Sequence, residues 1–89
     1  MRYRLEYSPK AIQDLSRLDK QTSLRIVTKL DFFIEQANPL RWAKNLTSSR
    51  YGEYRFRVGE YRIVFDLAKD GSITILLILR IKHRREVYE

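Results

Sequence analysis

The chain has 89 residues, 44% of them hydrophobic, with 18 Lys and Arg against 11 Asp and Glu and a formal net charge of +7. That length suits one domain spanning 1–89 and not two. The absence of cysteine excludes a disulfide framework and a thiolate metal site. The apolar run ITILLIL, Ile73 to Leu79, is far too short to cross a bilayer as a helix. The opening MRYRLEYSPK lacks the apolar stretch of a signal peptide. A cytoplasmic protein with no membrane partner is therefore expected.

The first element is RYRLEY. Tyr3, Leu5 and Tyr7 alternate with Arg2, Arg4 and Glu6, the period of a strand with one buried face. Ser8-Pro9 then opens a helix, with serine as the cap and proline at the first helical position, where its missing N–H costs nothing. Ala11, Ile12, Leu15 and Leu18 follow at helical spacing. Asp19 or Thr22 caps a second helix, whose apolar positions are Ile26, Val27, Leu30, Phe33, Ile34 and Ala37. Asn38-Pro39 ends it, because proline disfavours helix in the residue before it. The short break at Asp19-Lys20 implies an antiparallel helix pair.

Residues 40–52 read as irregular, with Trp42 and Leu46 as anchors to the body. Trp42 has a second reading, as a surface for stacking a base. Two hairpins complete the chain. Gly59-Glu60 suits a two-residue type II′ turn and Asp70-Gly71 marks the next, giving strands near 53–58, 61–68 and 73–81. The expected class is α+β in the order β-α-α-β-β-β. Its sheet is antiparallel, with the helical hairpin packed on one face.

The hairpin EYRFRVGEYRIVF, Glu53 to Phe65, separates two chemistries. With Gly59-Glu60 as the turn, Tyr54, Phe56, Val58, Tyr61, Ile63 and Phe65 share one face and should meet the helices. Glu53, Arg55, Arg57, Arg62, Val64 and Asp66 share the other. Arg57 then lies directly across from Arg62, and like charges so placed destabilise a sheet. Three arginines on one small face are better explained by an anion that binds there than by solvation alone. The charge distribution agrees: residues 41–62 carry net +4 and residues 80–89 net +2, whereas 63–79 carry net −1. A basic patch of this kind favours a polyanionic partner.

The tail, LRIKHRREVYE, supplies Lys82, the single histidine His83, Arg84, Arg85 and Tyr88. His83 can shuttle a proton near neutral pH or serve as an ordinary capping histidine. Tyr88 can stack on a base or pack against the sheet edge. No Gly-rich phosphate loop or Walker motif is present.

The early helix AIQDLSRL, the hairpin YRFRVGEYRIVF and the terminal HRREVY together resemble the RelE/ParE superfamily of toxins from type II toxin–antitoxin pairs, across essentially the whole chain. The resemblance implies a RelE-like fold and, for RelE-type members, a ribosome-dependent endoribonuclease that cuts mRNA in the A site. That reaction needs no metal or other cofactor. The 2′-OH attacks the adjacent phosphorus and leaves a 2′,3′-cyclic phosphate and a 5′-OH. By the same resemblance Arg55, Arg57 and Arg62 match basic sheet residues of the site. Arg84 matches the basic residue of the tail, with Lys82 and His83 as alternatives, and Tyr88 matches the C-terminal tyrosine. His83 or Tyr88 is the candidate proton acceptor. Lys44, Arg50, Arg80, Lys82 and Arg85 are the implied RNA contacts. The implied partners are an antitoxin, acidic where it meets the arginines, and mRNA on the ribosome. Two further readings share the fold: a ParE-type gyrase inhibitor, and a degenerate toxin that only binds its antitoxin.

Overall fold

The structure, a computed structural model, describes residues 2–46 and 52–87. Strand β1 (Arg2–Tyr7) leads into helices α1 (Pro9–Ser16) and α2 (Lys20–Ile34). A 3-10 turn (Pro39–Trp42) then precedes β2 (Lys44–Asn45), β3 (Tyr54–Val58), β4 (Tyr61–Asp70) and β5 (Ile73–His83). A short helix, α3 (Arg84–Val87), follows β5 directly. Among the described residues no helix is long and apolar enough to cross a membrane.

Local chemistry sets the helix boundaries. Ser8 Oγ accepts from the Ala11 N–H at 3.0 Å and donates to the Leu79 carbonyl at 2.9 Å. The Ser8 N–H donates to the Ile78 carbonyl at 2.8 Å. One residue thus ends β1, caps α1 and ties both to β5. Of the two candidate caps for α2, Asp19 takes the place, accepting from the Thr22 N–H at 3.2 Å. The helix stops at Ile34, four residues before Asn38. Glu35 and Gln36 donate back to the Phe32 and Phe33 carbonyls, which closes the last turn early.

The sheet runs in the order β1-β5-β4-β3-β2. The α+β class and the run of expected elements are present. The three long C-terminal strands are antiparallel as expected, and Val58 meets Tyr61 across a Gly59 turn with φ +58°. The second turn falls one residue later than expected, because Asp70 still pairs with Ile73. The sheet as a whole is mixed, which corrects the wholly antiparallel expectation. Strand β1 pairs in parallel with β5, from Arg2–Ile73 to Tyr7–Ile78. Its nearest strands in the chain lie at the far side of the sheet, and the helical hairpin makes the crossover that a parallel pair requires. That placement buries β5 between β1 and β4, so it reads as a nearly continuous apolar run instead of an alternating one.

The helices cover one sheet face. Ala11, Ile26, Leu30 and Phe33 pack there against Phe56, Val58, Ile63, Phe65, Leu76, Ile78 and Ile81. Phe56 is stacked between Phe33 at 4.4 Å and Phe65 at 4.5 Å. Ile78 and Ile81 reach this core from positions three apart, which strict alternation forbids. A bulge resolves it: Val64 pairs with Arg80 and Phe65 with Ile78, leaving Leu79 as the extra residue. At the other end, burial and then the charge of Asp31 push the Tyr7 hydroxyl up to about 12, so it stays protonated.

Candidate functional site

The face away from the helices is a grid of cations. The register aligns Arg57, Arg62 and Lys82 across β3, β4 and β5. The next row aligns Lys44, Arg55, Val64 and Arg80 across β2 to β5. Adjacent strands are about 4.8 Å apart and successive same-face positions about 6.8 Å. Six basic side chains therefore start from a patch a few strands wide. The expected pairing of Arg57 with Arg62 is present.

This face is less open than alternation implies. Arg55 and Arg62 are each only 9% exposed and Val64 only 1%, whereas Arg57 is exposed. The backbone at Gly52 lies over the face. A Cβ there would stand 2.8 Å from Val64 Cγ1 and 3.0 Å from Leu79 Cδ1. The Glu53 N–H donates to Asp66 Oδ1 at 2.8 Å and fixes this cover at one end. Two of the three arginines are thus largely shielded from solvent, and Arg57 is the exposed one.

Arg57, Arg62 and Arg84 line one cleft of about 200 Å³ with Gly59, Glu60 and Tyr61. The turn and the tail bring Arg84 there. Its N–H donates to the Glu60 carbonyl at 2.7 Å, while its Nε lies 3.6 Å from Glu60 Oε1. Three guanidiniums against one carboxylate leave a net positive cleft suited to a phosphate, whose oxygens match the arginine fork.

Other predicted residues have different surroundings. Arg80 donates to both carboxylate oxygens of Asp14, at 2.9 and 3.1 Å, and the Ile81 N–H donates to the same group at 2.8 Å. Asp14 closes the edge of β5 just beyond the end of β1. Burial drives its carboxyl upward, but hydrogen bonds from Arg80 and Ile81, with the charges of Arg80 and Lys82, outweigh that and hold it below the usual value. Lys82 Nζ lies 3.8 Å from Glu86. Arg85 is exposed on α3. Lys44 is exposed at the β2 edge. Arg50 and Tyr88 lie outside the described residues.

His83 pairs with Tyr61, on the alternate face from Arg62 and Lys82, and its ring meets the Tyr61 ring edge-on at 5.3 Å. Its Nδ1 accepts from the Arg85 N–H at 3.2 Å, and its own N–H donates to Glu86 Oε1 at 2.9 Å. That is a variant of the capping box: Glu86 reaches back to the cap N–H as usual, but the histidine accepts from the second helical N–H instead of the third. A neutral ring accepting at Nδ1 carries its proton on Nε2, which faces Glu60 Oε1 at 3.6 Å.

The sequence reading missed Asp14 and Glu60, the carboxylates that organise the cations, and the part played by Arg41. Arg41, Trp42, Ala43, Lys44, Arg55 and Arg57 line a second cleft of about 280 Å³. Lysine and arginine on both sides of Trp42 was the available signal. Arg57 belongs to both clefts.

A family described as "ParE toxin of type II toxin-antitoxin system, parDE" matches residues 5–88. A relative, Toxin RelG of Mycobacterium tuberculosis, is 31% identical over 88 residues, covering 99% of this chain and 98% of its own. The fold is shared with the RelBE2 toxin–antitoxin complex of Mycobacterium tuberculosis. There the TM-score is 0.71 at 24% identity, over 94% of this chain and 100% of that one. It is also shared with the archaeal RelE-RelB complex of Pyrococcus horikoshii, at 0.65 and 21%, over 94% and 97%. The YoeB/ParE toxin of Agrobacterium tumefaciens gives 0.63 at 20%, over 90% and 97%.

Proposed function

The chain belongs to the RelE/ParE family of toxins from type II toxin–antitoxin systems, and from that premise we propose that it is a ribosome-dependent endoribonuclease acting on mRNA. The observation that carries this reading is the cleft shared by Arg57, Arg62 and Arg84. In the reaction the 2′-oxygen bonds to phosphorus and the bond from phosphorus to the 5′-oxygen breaks. The 2′-OH proton leaves to a base, and the departing 5′-oxygen gains a proton. Negative charge builds on the phosphoryl oxygens between those events. Cations fixed in advance stabilise that charge without reorganising. Burial fixes Arg62, and the contacts with Glu60 fix Arg84. Arginine stays protonated, so these residues stabilise charge and do not shuttle protons.

Primer extension on ribosome-bound message tests the proposal. Wild type should cut at the A-site codon. Arg57→Ala and Arg62→Ala should each cut about 10²-fold more slowly, with unchanged circular dichroism. Growth arrest with intact messages, or cutting by both variants at the wild-type rate, would overturn it.

The matched family is a ParE family, which favours one second reading, inhibition of DNA gyrase without nuclease chemistry. Loss of supercoiling by purified gyrase, with messages intact, would replace the first reading.

The family and the solved toxin–antitoxin complexes support an antitoxin partner, and the charge of the cation grid suits acidic side chains on it. Its affinity should fall with salt and with Arg57→Ala.

A further inference from the structure

We propose that Trp42 is a stacking platform for a nucleotide base next to the phosphate held by the arginine cleft. Three observations converge. Trp42 is 53% exposed, although the indole is among the largest apolar groups a chain can bury. Its position is nonetheless fixed: the ring stacks on Phe33 at 6.0 Å and 27° and meets Phe32 edge-on at 6.5 Å. The exposed cleft beside it is lined by Arg41, Lys44, Arg55 and Arg57, with no acidic residue among the described residues.

An aromatic surface set in a basic groove is how proteins hold single-stranded nucleic acid without reading its sequence. Arg57 joins this cleft to the one containing Arg62 and Arg84. A strand with one phosphate between those arginines can therefore continue past Arg57, place its next base on the indole and its next phosphate near Arg41 and Lys44. An acidic protein segment would also answer the cations, but it makes no use of a backed, outward-facing ring. The proposal rests on RNA binding by this face and does not need the RNA to be cut.

The chain has one tryptophan, so its fluorescence reports on this position alone. The probe is a short 2′-O-methylated oligoribonucleotide, which lacks the attacking hydroxyl, together with the same strand bearing abasic positions. The full strand should quench Trp42 saturably and shield it from iodide. The abasic strand should bind without quenching. Trp42→Ala should weaken binding of a labelled strand about 5- to 150-fold, and Trp42→Phe should restore most of it. Binding with unchanged fluorescence would overturn the proposal and assign the indole, with its neighbour Phe32, to a protein-facing surface. No binding would also overturn it. Quenching by RNA without cleavage on the ribosome would leave this subsite standing and remove the nuclease reading.

Discussion

The same strands build two faces of one sheet, and the faces use burial for opposite ends. Toward the helices, Phe56, Ile63, Phe65, Leu76 and Ile78 are wholly buried and make an apolar core. On the reverse, Arg55 and Arg62 are nearly as inaccessible, yet they are charged and sit beside Arg57, Lys44, Arg80 and Lys82 in register. The first arrangement gains free energy from each methyl group removed from water. The second costs free energy through like-charge proximity and partial desolvation. Asp14 offsets part of that cost at Arg80 and Glu86 at Lys82. Under the proposed function, the cations are positioned to reward a bound anion.

The largest effect expected from this contrast is on the helix side. Phe56→Ala removes the ring stacked between Phe33 and Phe65 and should cost about 3–5 kcal/mol, read from urea unfolding. A loss below about 1 kcal/mol would mean that the stack is not the centre of the core.

An intermediate effect belongs to the sheet edge, where the core meets the basic face. Asp14→Asn keeps the size of the side chain but removes the charge facing Arg80. It should cost about 1–3 kcal/mol near neutral pH. The Asp14 carboxyl is held below its ordinary value. Its contribution is therefore present above the unfolded carboxylate range and is lost as pH falls through the folded value. The stabilities of wild type and Asp14→Asn should converge in acid. A gap that stays constant from neutral to acid pH would show that hydrogen bonding alone, without charge, accounts for the contact.

Much of the first face was legible because strand alternation and helix spacing are local. Tyr54, Phe56, Ile63 and Phe65 declare their side within one hairpin, and Gly59 sets its register. Ser8 and Asp19 announce the helix starts through side chains three residues from the N–H groups they accept from. What escaped is what depends on distant parts of the chain. Parallel pairing of β1 with β5 joins residues about seventy positions apart, and no local pattern encodes it. Asp14 reads as an ordinary polar residue of an amphipathic helix until β5 brings Arg80 beside it. Alternation also assigned Arg55, Arg62 and Val64 to the open face correctly, but could not show that Gly52 passes over it. The bulge at Leu79 is invisible for a similar reason, since from Ile75 to Leu79 every position is apolar enough to face inward.

The smallest effect gives the sharpest test of why the second face exists. Arg57 is exposed, has no carboxylate within ion-pair distance among the described residues, and lies directly across from Arg62. Arg57→Gln keeps most of the aliphatic stem and removes the repulsion. Stability should rise by about 0.2–1 kcal/mol at low salt. The gain should shrink as salt screens the pair, while cutting of ribosome-bound mRNA falls. A residue whose loss improves folding and impairs activity is kept for its ligand. Urea midpoints for wild type and Arg57→Gln at low and high salt, beside primer extension on the same samples, give both halves. If Arg57→Gln is less stable at every salt concentration, the cation row is held by contacts that favour folding, and the repulsion loses its value as a sign of an anion site.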